Sequence, residues 1–170
     1  NTLKDFIKNN PDGFTITSQG IPVPIGTPDS GVVVAPVKAA ELIVGQDIPL
    51  ETLREYVENA KAMSGILDRE VFLGGWFNND DNQYYLDNAL IIKDKVEALY
   101  IAEAAEQIAV YDLTVPPYGQ EIVTNDGIKQ LQETGIYRDN IAERYRRGID
   151  EASRLFRKSR LSNPEQGRVE

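Results

Sequence analysis

The 170-residue chain contains no cysteine and no histidine, and only one methionine and one tryptophan. Without thiols there are no disulfides, no thiolate zinc sites and no cysteine nucleophile, so the fold has to be held by its own core. Without imidazole, the usual near-neutral general base, the Ser-His-Asp relay and the commonest transition-metal ligand are missing as well. What is left is the chemistry of carboxylates, lysine, tyrosine, hydroxyls and backbone. Long apolar runs are also lacking. No stretch of about 18 apolar residues occurs, which predicts no spanning helix, and the opening NTLKDFIKNN has no apolar core like that of a signal peptide. The expectation is a soluble chain, in a host cytoplasm or a particle. Because it opens on Asn rather than Met, the numbering is expected to start inside a longer or processed chain. No cofactor is expected either: the glycine-bounded loop from Gly26 to Gly31 is not followed by the lysine that a phosphate-binding loop needs.

Charge is present in excess and unevenly placed. Residues 1–136 carry 9 Lys/Arg against 21 Asp/Glu, whereas residues 137–160 carry 8 against 4, within a formal net charge of −9. The acidic body repels nucleic acid, so a nucleic-acid partner is not expected, and only the last helix has the sign to attract one. Length and this asymmetry predict a compact α+β domain over 1–125, with a small mixed sheet and two packed helices, followed by a helical extension over 126–170.

Along the chain, Thr2 to Asn9 reads as a short helix stopped at Asn10-Pro11-Asp12-Gly13. Strands are predicted at Phe14–Ile16, at Val32–Val34 and at Glu41–Val44. Pro49 then opens an amphipathic helix that runs to Gly65. Val71 to Phe77 and Gln83 to Asp87 flank the polar turn Asn78 to Asn82 as a hairpin, and Gly74-Gly75 within it signals a bulge or a close approach of other backbone. Asp94 is placed to cap a helix, and Ile108 to Leu113 follows as a strand; strand, helix, strand predicts a crossover. Glu121–Val123 reads as an edge strand and Gly127–Glu133 as a turn or two of helix. From Asp139 to about Ser159 a long helix carries Ile141, Tyr145, Ile149, Ala152, Leu155 and Phe156 on one stripe and arginines, among them Arg144 and Arg147, on the rest.

Three places carry candidate sites. Trp76 with Tyr84 and Tyr85 offers an aromatic shelf for a sugar or base, or else core packing. Asp87 and Asp112, each at the end of a predicted strand, are the one pair that suits two-carboxylate acid–base chemistry; as caps they would be structural. Asn78, Asp80 and Asn82 alternate as oxygen ligands for a hard cation do, yet the loop lacks the glycine and the distal glutamate of an EF-hand, and a polar hairpin turn accounts for it equally. The C-terminal helix reads as a docking element for a protein partner or a second copy, since acidic residues interleave its arginines.

Three stretches, DGFTITSQGIPVPIGTPDSGVVVAP from Asp12, GGWFNNDDNQYYLD from Gly74 and QIAVYDL from Gln107, together resemble a family of small proteins and domains encoded by bacteriophages and prophage-like regions. The resemblance covers residues 12–123 and implies a phage setting; it supplies no catalytic residue. The extension beyond Asp126 departs from that pattern. The leading expectation is therefore a non-enzymatic virion structural or assembly component acting by protein–protein contact. The alternatives are a small carboxylate-dependent hydrolase or sugar-binding enzyme using Asp87 and Asp112, and an acidic inhibitor of a basic host enzyme.

Overall fold

Hydrophobic periodicity and capping account for most of the elements in the structure, a computed structural model. It describes residues 2–28, 30–136 and 141–162, with side chains for all of these but 141–144 and 159–162. Five helices and seven strands make an α+β fold, and every strand pairing among the described residues is antiparallel. In chain order the elements are α1 (Thr2–Asn9), β1 (Phe14–Ile16), β2 (Val32–Val34), a 3-10 turn at Lys38–Ala40, β3 (Leu42–Val44), α2 (Leu50–Leu67), β4 (Phe72–Asn78), β5 (Gln83–Ile92), α3 (Lys95–Ala104), β6 (Ala109–Asp112), β7 (Gln120–Val123), α4 (Thr124–Glu133) and α5 (Ile141–Ser162).

The chain separates into two units, each threaded from distant segments. One takes the chain up to Pro22, Val37–Asn88 and α5 from Glu151; the other takes Val23–Pro36 and Ala89–Asp150. Segment 126–136 belongs with what precedes it, because α4 packs on α3 through Gly127 and Ile128. A Cβ on Gly127 would lie 2.8 Å from a Leu99 methyl, so a larger residue there would require the Leu99 side chain to shift.

In the first unit β5 lies between β4 and β3, and β1 pairs with the far side of β4. α2 packs on β4. Its stripe Leu53, Tyr56, Ala60 and Met63, at helical spacing, is buried with Leu42, Val44, Leu73 and Leu86. Pro49 precedes the first turn, and the helix runs through Gly65 to end at Asp68 in the left-handed region, φ 52°. In the second unit the order is β5, β2, β6, β7, with α3 packed over β2 and β6. Asp94 caps α3 as expected: its Oδ1 accepts from the backbone N–H of Val96 at 2.9 Å and of Glu97 at 3.3 Å. The crossover from β5 through α3 to β6 is present in split form. β2 lies antiparallel to both strands, so β5 and β6 run in the same direction without being hydrogen-bonded to each other.

The stripe of α5 is buried at Tyr145, Ile149, Ala152 and Phe156, while Leu155 stands 46% exposed. Burying those four side chains is a structural use of the face that had been expected to dock a partner. The side chains of Ile141 and Arg144, and the expected start of the helix at Asp139, lie outside the described residues. Among the described residues no helix is long and apolar enough to cross a membrane.

Candidate functional site

Strand alternation sorts the aromatic candidates onto two faces. On β5, Tyr84, Leu86 and Asn88 point into the first unit's core, and Gln83, Tyr85 and Asp87 point the other way. Tyr84 is therefore core: it is 7% exposed and its ring lies 4.8 Å from that of Phe77. It leaves the proposed shelf to Trp76 and Tyr85, which stack with ring centroids 5.2 Å apart and planes at 30°. Trp76 is 44% exposed. The Tyr85 hydroxyl donates to the Asp81 carboxylate, and that bond holds the phenol above its ordinary value.

Asp87 lies on the same face as this stack, one strand period along. The register Leu42–Leu86 and Ile43–Tyr85 between β3 and β5 carries one residue further to place Glu41 directly opposite Asp87. Glu41 is extended there, at φ −65° and ψ 134°. On the other side, Gly74 of β4 has no side chain to occupy the space: a Cβ there would lie 2.6 Å from Asp87 Oδ1. Thr15 of β1 follows opposite Gly74. A row thus forms across four strands: Glu41, Asp87, Gly74, Thr15. The Gly74-Gly75 pair marks the close approach expected of it, since a Cβ on Gly75 would meet the Tyr85 carbonyl at 2.8 Å.

Beneath this row two polar side chains, Tyr56 and Asn88, lie within the apolar core. Tyr56, fully buried, donates its hydroxyl to the Gly74 carbonyl at 2.5 Å, and burial followed by the charge of Asp87 pushes its phenol up. Asn88 Nδ2 donates to the Tyr56 carbonyl at 3.4 Å, and its Oδ1 has no partner among the described residues. The Asp87 carboxyl is itself pushed up to about 7, first by burial and then by Glu41. A carboxyl that changes charge near neutrality, beside an exposed indole, is the feature of this molecule with the most chemistry in it.

The other candidates are occupied by structure. Asp112 is 5% exposed, and its Oδ1 accepts from the Thr114 N–H at 2.9 Å and the Thr114 hydroxyl at 2.6 Å, a turn cap at the end of β6. Asp112 belongs to the second unit and Asp87 to the first. In the hairpin turn, Asn78 Oδ1 accepts from the Asp80 N–H at 2.9 Å and Asp81 Oδ1 from the Gln83 N–H at 3.1 Å, while Asn82 takes the left-handed conformation at φ 56°. These oxygens serve the turn. Among the described residues no three His, Cys, Asp or Glu side chains gather as metal ligands do. A cavity of about 250 Å³ between α1 and β1 is lined by Leu3, Phe6, Ile16 and Leu73 with Thr2, Ser18 and Gln19, none of them ionisable.

What sequence reasoning missed is Glu41. Its meeting with Asp87 depends on the pairing register of two strands far apart in the chain, and no local pattern carries that information. Compared with protein-family models, with curated proteins and with solved structures, the chain matches none.

Proposed function

We propose that this chain is a non-catalytic, phage-associated module, a structural or assembly component of a virion, that works by protein–protein contact through the outer face of α5. The segregation of that helix supports the reading. Tyr145, Ile149, Ala152 and Phe156 are buried, while Arg147, Arg154 and Arg157 are exposed on a protein whose first 136 residues are strongly acidic. A helix anchored by its apolar stripe presents its charges in fixed positions, and such charges steer an acidic partner or the acidic body of a second copy. The interleaved Asp150 and Glu151, also exposed, suit a protein surface of mixed sign better than a phosphate backbone.

The test uses the full chain, since ending it before α5 would strip buried side chains from the core. Light scattering at low and high salt is compared between the native chain and a variant with Arg147, Arg154 and Arg157 changed to Glu, and purified virions are searched for the chain by mass spectrometry. Salt-sensitive assembly lost in the variant, with the chain present in particles, is the expected result. A monomer at every salt concentration that is absent from particles overturns the reading.

The enzymatic alternative draws on one observation, the Asp87 carboxyl held near neutrality beside Trp76. With Asp112 engaged in a turn, Glu41 takes the place of second carboxylate in that reading. Release of reducing sugar from oligosaccharides, abolished in a folded Asp87→Asn variant, is its test.

A further inference from the structure

We propose that β7 is the edge through which two copies of this chain pair, antiparallel about a two-fold axis, to make one continuous sheet. The pairing uses neither the arginines nor the apolar stripe of α5, so it is independent of the reading above.

β7 ends the second unit's sheet. Its register with β6 runs unbroken from Val123 to Gln120, and among the described residues no strand pairs with its other side. The phase of the ladder says which backbone groups are left over. The Thr124 N–H donates to the Ile108 carbonyl at 2.8 Å, and on the far side of β6 the Leu113 N–H donates to the Gly31 carbonyl at 2.9 Å. Hydrogen-bonded pairs alternate along an antiparallel ladder, so Gln120, Ile122 and Thr124 turn their amides toward β6, and Glu121 and Val123 turn theirs outward. Both of these residues are exposed, Val123 at 42%. Shortness and the charge of Glu121 are the strand's only protections; it has no lysine, no proline and no bulge. The edge at β1, by contrast, is closed by its own chain, through the bridge of Ile16 to Pro22 and the Thr17 N–H donated to the Ile21 carbonyl at 2.8 Å.

Self-complementarity identifies the occupant. A two-fold axis normal to the sheet preserves its faces, so residues opposed across the axis come from the same face of the strand. Opposing the two copies of Glu121 sets like charges together and leaves Val123 against Gly119, which lies outside the strand at φ 82°. Opposing the two copies of Val123 carries Glu121 to Asn125, already within α4. The register centred on Ile122 has neither fault. There Glu121 exchanges both backbone bonds with the second copy's Val123, and Val123 with the second copy's Glu121, so every outward N–H and carbonyl of the strand is satisfied. The two Ile122 side chains meet as a non-hydrogen-bonded pair with Cα atoms about 4.5 Å apart. An unrelated strand would match this pattern by coincidence, whereas a second copy carries it. Each copy has a net charge of −9, so salt screens their repulsion and does not weaken the pairing. An edge this short belongs among small interfaces, below about 1,200 Å², and the dimer is accordingly concentration-dependent.

Sedimentation equilibrium of the full chain, from micromolar to millimolar concentration at low and high salt, is expected to show a reversible monomer–dimer equilibrium that salt does not weaken. Val123→Pro removes the outward donor alone: Val123 already has φ −69°, which proline adopts, and its N–H takes no part in the β6 ladder. With circular dichroism unchanged, this variant is expected to raise the dimer dissociation constant about tenfold. Ile122→Cys gives the chain its only thiol and is expected to form a disulfide dimer on mild oxidation. Glu121→Cys is not, because the two copies of residue 121 lie out of line, with Cα atoms beyond the roughly 7 Å that a disulfide spans. A monomer at millimolar concentration, a dimer indifferent to Val123→Pro, or equal cross-linking at the two positions overturns the proposal. A dimer dissolved by salt and lost when Arg147, Arg154 and Arg157 are changed to Glu also overturns it, and assigns the association to α5.

Discussion

Asp87 and Glu41 face each other across the β3–β5 ladder, two carboxylates set where like charges oppose strand pairing. Burial adds to the effect of Glu41, and the Asp87 carboxyl rises from 3.8 to about 7. A group whose folded value lies above its unfolded value contributes stability in its protonated form. That contribution is complete below about pH 4 and is lost as pH climbs through 7. The chain is therefore expected to lose stability from pH 5 to pH 8, by up to about 3 kcal/mol from this group, and Asp87→Asn to flatten that slope and to be the more stable protein at pH 8. Urea unfolding of both proteins at the two pH values measures it; parallel slopes would remove Asp87 as the cause.

Gly74 owes its place to that same carboxylate. An alanine Cβ there lies 2.6 Å from Asp87 Oδ1, closer than atoms can approach without displacement. Gly74→Ala is expected to cost about 1–3 kcal/mol, the range for forcing extra volume into a packed site. In an Asp87→Ala background the contact is gone, and the same substitution is expected to cost less by at least about 1 kcal/mol. A double-mutant cycle by thermal unfolding reads the coupling. Full additivity would place the cause of any loss elsewhere, such as the backbone beside Phe14.

How much of this was legible in the sequence depended on range. Asp94, with its helix following at once, caps as the sequence pattern predicts, and Trp76 with Tyr85, separated by one tight turn, is likewise a local relationship. β5 proved longer than predicted: Asn88-Ala-Leu-Ile-Ile continues it to Ile92, and the buried run Asn88 to Leu90 breaks the alternation by which a half-buried strand is recognised. The α5 stripe is legible as a stripe, but amphipathicity does not say whether the apolar face packs within its own chain or on another. The meeting of Glu41 with Asp87 belongs to tertiary register and was beyond local reading.

The two faces of α5 are expected to differ sharply in what they contribute to stability. Phe156 is 6% exposed, so Phe156→Ala leaves a cavity and is expected to cost about 3–5 kcal/mol. Arg154 is exposed, and Arg154→Ala is expected to change stability by no more than about 0.5 kcal/mol. Chemical unfolding separates the two. If Phe156→Ala proved as mild as Arg154→Ala, the stripe would be free for a partner after all, as the sequence pattern suggests.

Thr124 offers a gain in stability. It begins α4 at 2% exposure, its backbone N–H donates to the Ile108 carbonyl at 2.8 Å, and its hydroxyl Oγ1 has no partner among the described residues. A buried hydroxyl without a hydrogen bond carries its desolvation cost uncompensated, roughly 1–3 kcal/mol. Valine has nearly the same shape, is branched at the same carbon and keeps the backbone bond. Thr124→Val is accordingly expected to raise the unfolding free energy by about 1 kcal/mol, seen as a higher urea midpoint at unchanged slope. A lower midpoint would mean that the hydroxyl is satisfied in solution, by water reaching the start of α4, and that its loss removes a bond rather than a burden.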